Sequence, residues 1–307
     1  MTTFDSVLLL AFGGPEKPED VRPFLEIVTA GRDIPPERLD AVAHHYELIG
    51  GRSPLTELTL RQAEGLRQSL AREGPALPVY VGMRNWHPFL RETLAGMREA
   101  GHRRALGVIL STFETEASWT RYMRDVDDAR AKIGAGAPEV AFAPVWWDHP
   151  RFLDAMTSRV SDALGQVPRE ARGDALLVFT AHSVPTAMAK ASPYAEQFEG
   201  ASRAVAARLG HERWQVAYQS RSGSPREPWL EPDVCDVLRG LEGKGVSDVV
   251  LAPIGFACDH VEILYDLDVE ARQVADQLGL RLHRAAAAND HPLFIAMLAD
   301  LVRQGAA

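Results

Sequence analysis

Two four-stranded parallel sheets, each flanked by helices as a Rossmann-like α/β domain with a cleft between the two, are the architecture this sequence predicts. Three observations carry the prediction. Eight short apolar runs bounded by turn residues recur along the 307 residues. Longer amphipathic stretches separate them in the manner of βαβ units. A polar stretch, Gln166–Asp174, then divides the runs four and four. The length agrees, since domains of about 150 residues would number two in such a chain.

In chain order, Val7–Phe12 comes first. It is far shorter than a signal-peptide core and has no basic region ahead of it, so it reads as a buried strand. Val79–Met83, Ala105–Ser111 and Val140–Pro144 complete the first set. The second set is Ala175–Thr180, Trp214–Gln219, Asp248–Ile254 and Arg281–Ala285. Helical patterns such as Leu55–Arg72 and Phe89–Ala100 lie between strands, and an amphipathic helix, His291–Gln304, follows the eighth. The expected domains are therefore 1–165, on which the helix 291–304 packs back, and 173–288, which carries His182 and Glu262.

Composition excludes several classes. A hydrophobic fraction of 46% with 24% charged residues suits a chain that buries a large core, so disorder and fibrous structure are out. With 33 Lys and Arg against 42 Asp and Glu the net charge is −9, which offers no basic field to nucleic acid or anionic lipid. No segment approaches the roughly 20 apolar residues of a membrane-spanning helix, so no membrane insertion is expected. The two cysteines, Cys235 and Cys258, can build neither a disulfide scaffold nor an all-cysteine iron–sulfur cluster, and a cytoplasmic location is expected. Gly13-Gly14-Pro15 lacks the glycine and lysine spacing of a phosphate loop, so no nucleotide is expected.

In open parallel sheets, ligands sit beyond the carboxyl ends of the strands. His182 stands there, directly after a buried run. An arbitrary histidine is more often a cap or a core residue, but at a central strand end it can exchange protons near neutral pH or ligate a metal. Glu262, Asp266 and Glu270 fall at i, i+4 and i+8. On one α-helix such residues drift by only about 40° per step and line one face, as a solvated stripe or as a path for a divalent cation or protons. Arg52 and Ser53 in Gly50-Gly51-Arg52-Ser53-Pro54, together with Arg84 and Arg121, are candidate carboxylate donors, with a loop and helix cap as the alternative for the first two. Trp86, Trp119 and Trp229 would serve a flat ligand. Cys258, close to Asp259 and His260, reads as a small core thiol.

Several segments together resemble the ferrochelatases, enzymes that insert ferrous iron into a porphyrin. They are Leu8–Glu16, His45-Tyr46-Glu47 through Gly50–Pro54, Ala181-His182-Ser183-Val184-Pro185, Gln219-Ser220, Pro228–Pro232 and Gly255–Asp266, in family order over nearly the whole chain. Phe12–Pro15 with Arg84–Pro88 is most similar to the soluble bacterial coproporphyrin III ferrochelatases.

The resemblance implies that His182 and Glu262 are the catalytic pair, on facing sides of the ring. It also implies that Asp266 and Glu270 continue an acidic path from the pair, so that His182, Glu262, Asp266 and Glu270 handle the metal; with a porphyrin as ligand, Arg52, Ser53, Arg84 and Arg121 become the candidate donors to its propionates, and Phe12 and Trp229 candidate contacts to its ring. Some relatives have a tyrosine where Phe12 stands, and Phe12 cannot ligate iron. Ferrous iron and porphyrin are the implied substrates, in a monomer that hands its product transiently to the next enzyme of haem synthesis. Open alternatives are a protoporphyrin IX ferrochelatase, a cobalt chelatase, or a non-catalytic haem or porphyrin carrier. Retention of both His182 and Glu262 argues against the carrier.

Overall fold

The computed structural model describes residues 4–31, 34–223 and 226–306. The chain divides into two compact units. The first holds the described residues up to 111, then 117–145, then those from 289 onward. Its parallel sheet has the order β2-β1-β3-β4, from β1 (Ser6–Ala11), β2 (Val79–Met83), β3 (Arg104–Ile109) and β4 (Glu139–Phe142). All six residues of β1 are buried, as a central strand covered on both faces requires, whereas the edge strand β4 has none buried. Around the sheet lie α1 (Pro18–Thr29), α2 (Pro36–Leu48), α3 (Leu55–Glu73), α4 (Leu90–Glu99), α5 (Arg121–Ile133) and α12 (Pro292–Ala306). The helix α12 packs on α3, burying Phe294, Met297 and Leu298 completely.

The second unit comprises residues 112–116 and 146–288. Its sheet repeats the topology as β6-β5-β7-β8, from β5 (Leu176–His182), β6 (Trp214–Gln219), β7 (Asp248–Ala252) and β8 (Arg281–Arg284). The helices are α6 (Pro150–Gly165), α7 (Thr186–Lys190), α8 (Tyr194–Leu209), α9 (Val234–Arg239), α10 (Val261–Tyr265) and α11 (Arg272–Gln277), and a π turn, Asp266–Ala271, joins the last two. In this topology the strand order reverses between β5 and β7, so a ligand site is expected beyond their carboxyl ends.

The division differs from the expected one in two places. Helix α6, assigned above to the first domain, belongs to the second unit, where it packs on α8, β7 and β8 and buries Phe152, Met156 and Val160. The polar stretch 166–174 is a surface connection from α6 to β5, and its polarity marks solvent contact rather than a change of domain. Residues 112–116, inside the N-terminal half of the chain, also belong to the second unit. There Phe113 packs against Tyr194 and Phe198 at ring-centroid distances of 5.7 and 5.6 Å. Gln197 fixes this segment by accepting from the Glu114 amide at 2.9 Å and donating to its carboxylate at 2.7 Å.

One glycine bears directly on the site. The Gly255 amide donates to the Thr180 carbonyl at 3.0 Å, bringing the loop after β7 against β5. A Cβ at Gly255 would lie 2.5 Å from Ala181 Cβ and 2.7 Å from Ala181 Cα, closer than atoms can approach. Gly255→Ala should therefore destabilise the fold by about 1–3 kcal/mol through overpacking. Denaturant unfolding tests this, and a midpoint equal to that of wild type would contradict the contact.

Candidate active site

Strand β5 delivers His182 at its carboxyl end, where Tyr194 donates its hydroxyl to the His182 carbonyl at 2.7 Å and the Ser183 amide donates to the Gln219 carbonyl at 2.7 Å. Both bonds use backbone atoms, so the strand end is fixed without engaging the imidazole. The His182 Nδ1 lies against the Ser183 carbonyl, which can only accept, so Nδ1 carries a hydrogen and Nε2 is the nitrogen that titrates. Nε2 faces Glu262 Oε1 at 3.6 Å.

Glu262 is placed by the start of α10. His260 caps this helix by accepting the Glu262 amide on Nδ1 at 3.2 Å, and Gln219 donates to the Glu262 carbonyl at 2.7 Å. The cap requires an unprotonated Nδ1, which agrees with burial pushing the His260 imidazole below its ordinary value.

The electrostatics of the pair are set by mutual proximity. Burial alone would lower the His182 pKa, yet the Glu262 carboxylate, with smaller help from the Ser183 carbonyl and Asp266, raises it above the ordinary 6.5. Burial would likewise raise Glu262, and the His182 charge, aided by His260, instead holds it below the usual carboxylate range. At neutral pH the pair is an imidazolium beside a carboxylate, with side chains 29% and 41% exposed and so open to a reactant.

This geometry corrects the expected placement of the pair on facing sides of a ring. A flat aromatic ring needs about 3.5 Å of clearance on each face, about 7 Å in all. A gap of 3.6 Å admits no ring. The imidazole and the carboxylate are direct neighbours rather than partners across a gap.

Asp266 accepts a hydrogen bond from the Ser220 hydroxyl. Burial pushes its pKa up to about 7, with Glu262 and Glu270 adding to the rise against the Ser220 bond. Glu270 is raised as well, by burial and then by Asp233. A carboxyl raised by burial and by like charges nearby holds its proton to higher pH than a free one. The one continuous α-helix expected for the stripe is interrupted, because Asp266 and Glu270 lie in the π turn. A π turn closes on residue i+5 and so turns less per residue than an α-helix. It therefore offsets the drift accumulated over α10 and returns Glu270 toward the azimuth of Glu262. The adjoining face, Ile263, Leu267 and Ala271, is fully buried and anchors the stripe. Among the described residues no three or more His, Cys, Asp or Glu side chains gather at metal-holding geometry.

The remaining expected residues fall into two groups. In the second unit, Trp229 bridges Pro185 through its backbone, just beyond His182. Its indole lies so close over Gly223 that a Cβ there would be 2.3 Å from the ring. In the first unit, Phe12 follows β1 with 41% of its surface exposed. The Ser53 amide donates to the Pro15 carbonyl at 2.8 Å and its Oγ accepts the Leu55 amide at 3.3 Å, a capping role at the start of α3. Arg52 and Ser53 line an open cavity of about 410 Å³ with Glu16, Glu57 and Arg61. Arg121 opens α5, and its charge acts on Asp125. Arg84 departs from expectation. Its Nε lies 2.7 Å from Asp125 Oδ2, its guanidinium stacks 5.4 Å from the Tyr122 ring centre, and its side chain is only 15% exposed. An arginine already neutralised in this way is not a free donor for a ligand carboxylate.

The family model for ferrochelatase matches residues 5–306. The chain belongs to the ferrochelatase family. Among its relatives, the coproporphyrin III ferrochelatase of Mycobacterium avium is 46% identical over 97% of this chain and 87% of its own length. That of Mycobacteroides abscessus is 43% identical over 98% and 88%. Among solved structures, SirB from Bacillus subtilis with Fe3+ matches with a TM-score of 0.60 at 11% identity, covering 98% of this chain and 95% of that one. A multi-domain protein of Deinococcus radiodurans, described as structurally similar to chelatases, matches with a TM-score of 0.60 at 18% identity. This ferrochelatase-family chain spans 98% of itself but 55% of that protein. The structural matches establish the two-sheet α/β fold. Among the described residues, no helix is long and apolar enough to cross a membrane.

Sequence reasoning gave no role to Ser220, Tyr194 or Arg284. Ser220 and Arg284 stand at the carboxyl ends of β6 and β8, so the rule that singled out His182 could have found them. Tyr194 acts on a backbone carbonyl from α8, and no local signal marks such a contact.

Proposed function

We propose that this chain inserts ferrous iron into free coproporphyrin III, giving coproheme in haem biosynthesis. The observation that carries the reading is the His182–Glu262 pair at 3.6 Å, beside the topological switch point, in a chain whose relatives named above are coproporphyrin III ferrochelatases. Ferrous iron and porphyrin are both substrates. A porphyrin must lose two pyrrole protons as the metal enters, because metal ligands bind deprotonated.

In its neutral form, His182 Nε2 accepts the two pyrrole protons in turn, releasing the first before it takes the second. Glu262 stabilises the imidazolium that forms and keeps the ring turned toward the acceptor position. Asp266, whose pKa lies near neutrality, passes protons onward or exchanges them for the incoming cation, with Glu270 next in the succession. Phe12 contributes an apolar surface and no phenolate. Arg52 and Arg121 remain donors for the porphyrin carboxylates, Ser53 holds the turn that carries Arg52, and Trp229 supplies an aromatic face. Two buried thiols, Cys235 and Cys258, argue against a cysteine-held cluster, and the chain needs no nucleotide for this chemistry. A cytoplasmic monomer that passes coproheme transiently to the next enzyme completes the reading.

Anaerobic incubation with ferrous iron and either porphyrin, followed by absorption, tests it. Coproporphyrin III carries four propionates and protoporphyrin IX two, and each buried donor left unpaired costs about 1–3 kcal/mol, at least about fivefold in rate. The expected result is turnover with coproporphyrin III at a kcat/KM well above that for protoporphyrin IX, with or without detergent. A preference for protoporphyrin IX under both conditions would overturn the substrate assignment, and binding without turnover would identify a carrier.

A further inference from the structure

We infer that Arg284 is a positioning residue for metal insertion, because its guanidinium ties Asp259 to Asp268 and thereby holds the intervening segment with Glu262 facing His182. The inference rests on the function proposed above. Arg284 ends the outer strand β8, paired in register with Leu251 of β7. From there its side chain reaches the segment that follows β7. Nη1 donates to Asp259 Oδ1 at 3.0 Å and Nε donates to Asp268 Oδ1 at 2.7 Å. The side chain is only 16% exposed, and Asp259 is 12% exposed. Asp259 Oδ1 also accepts the Ala287 amide at 3.3 Å, so the same carboxylate joins the stretch after β8 to the one after β7.

The two carboxylates bracket the part of the chain that matters. Asp259 immediately precedes the His260 cap, and Asp268 lies inside the π turn. Between them stand Glu262 and Asp266. A π turn within an otherwise α-helical run is uncommon and is frequently found at functional sites. Asp268 is the residue of that turn that Arg284 grips. A planar guanidinium can serve two carboxylates from two of its edges, which the single ammonium of lysine cannot reproduce. Gln219 and Ser220 hold the same segment from the β6 end, at the Glu262 carbonyl and the Asp266 carboxylate. Arg284 supplies the restraint from the β8 end.

Two variants test the inference, Arg284→Lys, which keeps the charge and loses the fork, and Asp268→Asn, which weakens one arm and leaves Asp259 bound. Insertion kinetics with coproporphyrin III and ferrous iron, porphyrin binding by fluorescence, and the His182 ring signals in NMR at one fixed pH are measured for each. Arg284→Lys is expected to lower kcat about tenfold, as a small misplacement of a catalytic group does, with the porphyrin KM within about twofold. The His182 ring signals should move because Glu262 has moved. Asp268→Asn should change both readouts in the same direction by less. Unchanged kcat with unchanged ring signals would overturn the inference, as would a loss confined to KM. Should Arg284→Lys not fold, Asp268→Asn decides by the same criteria. If the wild-type protein inserts no metal, the proposed function falls, and the ring signals still decide whether Arg284 holds Glu262 against His182.

Discussion

His182→Ala is expected to lower metal insertion by about 10²- to 10⁴-fold, the range typical of a lost general base, while coproporphyrin still binds. In its neutral form Nε2 is the proposed acceptor of a pyrrole proton, and alanine removes it. The fold should survive, since Tyr194 and Ser183 hold this strand end through backbone atoms, which alanine retains. The porphyrin should still dock through its carboxylates. Single-turnover absorption with pre-bound porphyrin separates binding from chemistry. A variant that binds normally and inserts iron within tenfold of the wild-type rate would remove His182 from the proton transfer.

Glu262→Gln has the second large effect, and its sign in pH follows from the pair. In the wild type, Glu262 favours the imidazolium, so His182 titrates above 6.5 and the neutral acceptor becomes abundant only as pH rises through that raised midpoint. Removing the carboxylate charge leaves burial, which disfavours the imidazolium, as the leading influence. The midpoint should then fall, and the rise of kcat/KM with pH, which reports the free enzyme, should move to lower pH. The plateau should also drop, because nothing beside Nε2 stabilises the imidazolium once the proton has arrived. Paired pH–rate profiles and an NMR titration of His182 measure both effects. A rising limb at the wild-type position would mean that Glu262 does not set the basicity of His182.

Much of this architecture can be read from residue patterning. The eight apolar runs became the eight strands with ends displaced by a residue or two, because a strand covered on both faces must be apolar along its length, and β1 and β7 are fully buried. His182 was singled out by its place at a strand end and Glu262 by the acidic spacing it begins, and the structure sets the two side chains 3.6 Å apart. The failures came where tertiary contacts override local pattern. Nothing in the spacing of Glu262, Asp266 and Glu270 distinguishes an α-helix from one carrying a π turn, since both put acids near one face. Arg84 read as a free cation because its partners Asp125 and Tyr122 lie some forty residues away in the sequence. The polar stretch before β5 imitated a linker, and the true crossing at 145–146 has no compositional mark.

That crossing is one of four, since the chain passes between units at 111–112, 116–117, 145–146 and 288–289. During synthesis, domains generally fold in the order in which they emerge, N-terminal first. Here the first unit lacks Phe294, Met297 and Leu298, which α12 buries completely, until the entire second unit has been made. The second unit, conversely, takes Phe113 from a segment made before most of it. A fragment ending near residue 145 would leave the surface of α3 that α12 covers exposed to water, and one starting near 146 would lack the ring that packs on Tyr194, the donor to the His182 carbonyl. Neither half is a self-sufficient folding unit, so a nascent chain has to wait for its C-terminal helix, and mixing two separately expressed halves is a poor route to an active protein.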